Sequence, residues 1–180
     1  MNVLLGFSGS VASKLCNSLY GKISQKNKIK CIVTQAANKL FQIENTLNSS
    51  EFKLDFDCYN DDSELATWLI DKKVLHIELR NWADCLVIAP LSANTLAKIA
   101  NGICDNLLTN VVRCWDDKKI VLAPAMNTVM WENSFTQQHI QSVLSHYNVK
   151  IINPIEKKLV CGDYGIGAMA NIDDIIEEIK

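Results

Sequence analysis

Several absences narrow the reading before any motif does. No apolar run approaches the ~18–20 residues needed to span a membrane, so no membrane partner is expected. No block of Lys and Arg stands out: 18 basic residues face 20 acidic ones, for a formal net charge of -2. Nucleic acid is therefore not an expected partner. The start, Met1-Asn2-Val3-Leu4-Leu5-Gly6, lacks the charged opening and small-residue cleavage site of a signal peptide, which makes the cytoplasm the expected location. The seven cysteines include no Cys-x-x-Cys pair, so there is no zinc knuckle or thioredoxin-type motif, and no metal is expected. In a reducing compartment Cys16, Cys31, Cys85, Cys104 and Cys114 read as small core hydrophobes. Prolines number three and glycines seven in 180 residues, and no cluster of either marks a domain boundary. A single domain over residues 1–180 is expected, long enough to bury a core.

What is present alternates between two patterns. Residues 2–7, 28–34, 84–89, 120–122 and 149–152 are short apolar runs that read as buried strands. Between them lie helical spacings: Leu15, Leu19 and Ile23; Ala36, Ala37, Leu40 and Phe41; Leu65, Trp68 and Leu69, capped by Asp62 or Ser63. Further spacings run through Leu96, Ile99 and Ala100 to a stop at Gly102, and over 105–115, 134–147 and 172–179. Residues 43–62 form a long polar connection with room for a short strand near 52–56. Strands alternating with helices predict an α/β fold, a parallel sheet covered on both faces.

The chemistry is expected where strands end, because ligands of open α/β sheets bind at the carboxyl edge. After the first strand, Gly9-Ser10-Val11-Ala12 leads into a helix. That arrangement either cradles a phosphate or is a plain βα turn; it fits neither G-x-G-x-x-G nor a Walker motif. Two later strand ends resemble one another: Ala89-Pro90-Leu91-Ser92-Ala93-Asn94-Thr95 and Ala123-Pro124-Ala125-Met126-Asn127-Thr128. They read as twin helix caps or as two walls of one cleft. Pro124 is expected to break its strand, leaving Asn127 as a polar anchor among Met126, Met130 and Trp131. His76 sits between apolar residues and is either a satisfied structural histidine or a general base. Residues 154–170 lack periodicity and hold Cys161-Gly162-Asp163-Tyr164-Gly165-Ile166-Gly167, which reads as a mobile loop able to close over a site. Cys161 is there either incidentally or as a reactive thiol.

Five stretches, in order and over essentially the whole chain, make the reading specific. They are Gly9-Ser10-Val11-Ala12, Leu75-His76-Ile77-Glu78-Leu79-Arg80, Ala89 to Lys98, Pro124 to Trp131 and Lys157-Lys158-Leu159-Val160-Cys161-Gly162-Asp163. Together they resemble the flavin-dependent cysteine decarboxylases, the family of the phosphopantothenoylcysteine decarboxylases and of the plant and yeast halotolerance proteins. The resemblance implies a three-layer Rossmann-like (flavodoxin-like) open sheet, bound FMN, and a homotrimer with sites near subunit boundaries. By resemblance Gly9, Ser10 and Val11 hold the FMN phosphate, with Thr34 and Phe41 nearby, and Ser92, Ala93, Asn94, Thr95 and Ala125 line the flavin. His76 is the implied base, Asn127 the ligand of the substrate carboxylate and Cys161 the acid on a flap over 154–170, with Lys158 and Met169 enclosing the substrate.

The implied reaction converts 4′-phosphopantothenoylcysteine to 4′-phosphopantetheine in coenzyme A biosynthesis, through transient oxidation to a thioaldehyde, loss of CO₂ and re-reduction. A plain amino-acid-derived carboxylate has no electron sink, and the flavin supplies one. The first half needs a base and the second an acid; an amide such as Asn127 can bind a carboxylate without changing its protonation. Rival readings on the same fold are a peptidyl-cysteine decarboxylase, a flavin prenyltransferase, and a halotolerance-type subunit that inhibits a protein phosphatase. The joint presence of His76, Asn127 and Cys161 disfavours the prenyltransferase. One departure stands out: family members often carry a second Arg where this chain has Asn81.

Overall fold

Alternation along the strands sets up the architecture. In β1 (Asn2–Phe7) the side chains of Val3, Leu5 and Phe7 join one buried cluster and Leu4 joins another. Cys85, Val87 and Ala89 of β3 (Cys85–Leu91), with Val121 and Ala123 of β4 (Ile120–Pro124), belong to the first cluster. Leu86, Ile88, Ile120 and Leu122 belong to the second. Runs apolar on both faces need cover on both faces, and the chain provides it. The structure, a computed structural model, describes residues 1–47, 54–158, 162 and 164–179.

The sheet is parallel, with strand order β2-β1-β3-β4-β5, where β2 is Lys28–Val33 and β5 is Val149–Ile151. This is the flavodoxin-like order, and the direction of winding reverses between β1 and β3. Helices α1 (Cys16–Ser24), α2 (Gln35–Leu47) and α9 (Ile172–Glu177) bring Leu19, Ile23, Ala37, Phe41 and Ile175 to the first cluster. The opposite face is covered by α4 (Leu75–Trp82), α5 (Ala93–Ala100), α6 (Leu107–Arg113) and α8 (Ser134–His146). Each Leu or Ile buried in these layers stabilises the fold by about 1.5–3 kcal/mol relative to an exposed one. Gly102 follows α5 in the left-handed region (φ +66°), the stop expected from its sequence.

The departures from expectation have physical reasons. Pro124 is itself the last residue of its strand, so the expected break falls just after it. β3 and β4 continue through Pro90-Leu91 and Ala123-Pro124, with Leu91 opposite Pro124 across a register shift. At a bulged strand end the missing proline N–H costs no ladder bond. A short helix, α7 (Thr128–Glu132), follows with Asn127 as its cap, in line with the helix-cap reading of this strand end. His76 lies in helix α4. Of the strand expected near 52–56, residues 52 and 53 lie outside the described residues and 54–56 are not strand; Tyr59 bridges Ile32 instead. The expected loop at 154–170 contains an antiparallel hairpin, β6 (Ile155–Lys158) with β7 (Tyr164–Ala168). Cys104 is exposed, whereas Cys16, Cys31 and Cys85 are buried.

The largest departure is α3 (Asp61–Asp71). Leu65, Trp68 and Leu69 were expected to face a core, yet the helix buries no residue, and Leu65, Trp68 and Leu69 are 59%, 51% and 59% exposed. Its inward face is polar. The Asp61 carboxylate accepts from the Leu107 amide (2.7 Å) and Glu64 accepts from Asn110 Nδ2 (3.1 Å). One turn of α3 thus matches one turn of α6. The helix is started by Asn60, which accepts from Ser63 N in a capping box, rather than by Asp62 or Ser63.

Candidate active site

The carboxyl ends of the central strands are fastened together by Ser8, a buried hydroxyl just beyond β1. Its Oγ donates to the Pro90 carbonyl (2.9 Å) and accepts from Ser92 N (2.7 Å), while its own N–H also donates to Pro90 O (3.2 Å). Beside it, Ser10 caps a short 3-10 turn at 11–15, accepting from Ala12 N and donating to the Ala125 carbonyl (3.4 Å). Gly9 is glycine for a reason of space: a Cβ there would stand 2.6 Å from that of Ala36. The loop after β1 can therefore lie close against the first turn of α2. Thr34 accepts from Ala37 N at the start of α2, and Ser92 accepts from Thr95 N at the start of α5.

These three helix starts open onto one cleft of about 470 Å³. Its lining includes Gly9, Ser10, Thr34, Ser92, Ala93, Asn94, Thr95 and Ala125, all named from the sequence. The unpaired N–H groups of helix N-termini and their dipoles favour an anion at such a place. The lining also includes Asp61, Lys98, Asp105, Asn106, Met126 and Met130. Lys98 Nζ meets Asp105 Oδ2 at 2.6 Å. Sequence reasoning named none of these six as site residues. Lys98, Met126 and Met130 stand inside the quoted motifs, but Asp61 arrives from a distant helix with no local signal.

Four named residues stand elsewhere. Phe41 and Met169 are buried in the sheet's first core layer and do not line the cleft; Val11 is exposed on the turn after Ser10. Lys158 ends β6 on the surface. Cys161 lies outside the described residues. Asn127 follows the lining residue Met126 and caps α7, its Oδ1 accepting from Val129 N at 2.8 Å.

The Asn127 loop is held from behind by the hairpin. Met126 N donates to the Gly167 carbonyl (3.0 Å). A Cβ at Gly165 would meet Thr128 Oγ1 at 2.5 Å, and one at Gly167 would meet the Met126 carbonyl at 2.2 Å. Gly167 is demanded by this backbone contact, and Gly165 by the Thr128 side chain that lies against it.

His76 does not line the cleft. Its Nδ1 makes a hydrogen bond with Glu64 Oε1, and the two side chains are 26% and 23% exposed. No local pattern signals this pairing, since the partners are twelve residues apart on different helices.

The chain matches the family described as Flavoprotein over residues 1–180. It is 51% identical over 170 residues to a phosphopantothenoylcysteine decarboxylase of Oryza sativa subsp. japonica, covering 93% of this chain and 74% of the rice protein. Among solved structures it superposes on a PPC decarboxylase mutant complexed with pantothenoylaminoethenethiol. The TM-score is 0.87 and the identity 43%, with 99% of this chain and 95% of that one covered. It superposes also on the FMN binding protein AtHal3, with TM-score 0.82, 44% identity, and 99% and 94% of the two chains covered.

Proposed function

The chain belongs to the Flavoprotein family, and from that premise we propose that it catalyses the FMN-dependent decarboxylation of 4′-phosphopantothenoylcysteine to 4′-phosphopantetheine, a step of coenzyme A biosynthesis. The observation that carries the reading is the convergence of three helix starts and the β1/β3 switch point on one cleft of about 470 Å³. That volume suits a cofactor-sized ligand. The residues present fit FMN. Gly9 and Ser10 with Thr34 offer an anion-binding end, and Ser92, Ala93, Asn94, Thr95 and Ala125 offer small or amide-bearing side chains to a flat ring. When bound, FMN supplies the reversible two-electron chemistry that gives the substrate an electron sink. The relatives named above support both the cofactor and the decarboxylase activity.

The chain's own residues orient the substrate and move protons. His76 takes the proton released in the first half of the reaction. Asn127, anchored through its Oδ1 at the start of α7, recognises the substrate carboxylate. Cys161 returns a proton in the second half, and Lys158 belongs to the enclosure. The solved complex of a PPC decarboxylase mutant with pantothenoylaminoethenethiol supports a pantothenoyl-bearing substrate.

The assembly we propose is a homotrimer. Two observations favour a second copy at the site: His76 is absent from the cleft lining, and α3 beside it turns Leu65, Trp68, Leu69 and Ile70 outward. We place the enzyme in the cytoplasm, where its free thiols stay reduced.

Incubation of the purified protein with 4′-phosphopantothenoylcysteine tests the activity, with CO₂ loss and product mass as readouts. The protein is expected to be yellow and to yield 4′-phosphopantetheine; a colourless protein that takes up no FMN would overturn the reading. Light scattering is expected to give three copies, and Trp68→Glu to give fewer.

A further inference from the structure

The Glu64 carboxylate is held on both oxygens. Oε1 meets His76 Nδ1, and Oε2 accepts from Asn110 Nδ2 at 3.1 Å. Glu64 stands on α3, His76 on α4 and Asn110 on α6, and α3 is fixed to α6 a turn earlier by Asp61 and the Leu107 amide. Leu75 and Leu79 of α4 pack in the same buried cluster as Leu107 and Val111 of α6. The carboxylate is therefore located by three helices and cannot rotate freely about its own chain.

We propose that Glu64 is a positioning residue for His76, an inference that rests on His76 being the base. A carboxylate cannot donate, so the hydrogen bond requires the proton on Nδ1. A singly protonated imidazole with its proton on Nδ1 leaves Nε2 bare, and Nε2 is then the atom able to accept a proton. The other tautomer is the wrong one, because it has its N–H where the base must act. Asn110 matters because it occupies the second oxygen, keeping the first for the ring.

The test is nitrogen NMR of the FMN-loaded enzyme labelled with ¹⁵N-histidine, with His76 assigned by comparison with His76→Asn. In the parent protein the His76 ring is expected to show a protonated Nδ1 and a bare Nε2. In Glu64→Ala it is expected to show a mixture of tautomers. Flavin bleaching after rapid mixing with substrate is expected to slow roughly 10- to 100-fold in Glu64→Ala, with KM little changed. Glu64→Gln, which still offers an acceptor to Nδ1–H, is expected to restore the tautomer and part of the rate. An Nε2-protonated ring in the parent, or an unchanged tautomer in Glu64→Ala, overturns the proposal. The base reading fails separately, if His76→Asn still bleaches the flavin at the parent rate.

Discussion

Replacing Gly167 by alanine attacks the contact between the hairpin and the Asn127 loop. The added Cβ would stand 2.2 Å from the Met126 carbonyl oxygen and 3.3 Å from Asn127 C and Thr128 N. All three are backbone atoms and cannot swing aside. The two segments must separate by roughly 1 Å to reach ordinary contact. That separation breaks the 3.0 Å bond from Met126 N to Gly167 O. The backbone angle, φ +154°, adds about 1–3 kcal/mol of strain for a residue with a side chain, and the lost hydrogen bond about 0.5–1.5 kcal/mol. A combined loss of about 2–4 kcal/mol at the loop that carries Asn127 corresponds to roughly 30- to 1000-fold in kcat/KM. The core strands lie outside this contact, so circular dichroism should show a folded protein with only a modestly lower melting temperature. The assay is product formation from 4′-phosphopantothenoylcysteine by mass spectrometry. A Gly167→Ala enzyme within about twofold of the parent in kcat/KM, where this sum predicts roughly 30-fold or more, would show that the hairpin does not position the loop.

Three further outcomes are expected. Gly21→Ala, in the exposed middle of α1 where a Cβ meets nothing within 4 Å, should raise stability by about 0.5–1 kcal/mol in denaturant melts; a loss would contradict the helix. Hydrogen bonds from Lys119 and Lys150 hold the Glu178 carboxyl below its ordinary value of 4.5. Its contribution is therefore complete above that value and lost as pH falls through the depressed one. Glu178→Gln should flatten this acid limb of the melting curve, and an unchanged limb would assign it to other carboxylates. Burial pushes the Cys85 thiol up to about 11 and the Cys16 thiol higher still, while hydrogen bonding to Cys58 and burial raise that of Cys31. Iodoacetamide near neutral pH should label the exposed Cys104 well before these three, as peptide mass mapping would reveal.

The sheet was legible because its strands are buried on both faces. Asn2–Phe7 and Cys85–Leu91 leave few polar residues to confuse the pattern. The cleft was legible as far as it is built from strand ends, since Ser10, Thr34 and Ser92 are helix caps as well as lining. Other parts depended on contacts that no local pattern records. The spacing of Leu65, Trp68 and Leu69 gave a helix correctly, but which face turns inward was decided by Asp61 and Glu64 finding partners on α6. Gly165 and Gly167 looked like loop residues because glycine is rare in strands; they stand in a strand because the Thr128 side chain lies against Gly165 and the backbone of residues 126–128 against Gly167. Phe41 follows the same logic in reverse, carrying its family position into a packed layer.

Because α3 buries no side chain, its attachment depends on polar bonds that water can replace one at a time. Its amides should therefore exchange with deuterium through a partial opening that leaves the sheet intact, at a free energy well below that of global unfolding. Glu64 would depart with each opening and His76 would lose its partner. The chemistry of the site would then hang on the part of the fold with the shortest residence in its native place, and a neighbouring copy laid over Trp68 would lengthen that residence.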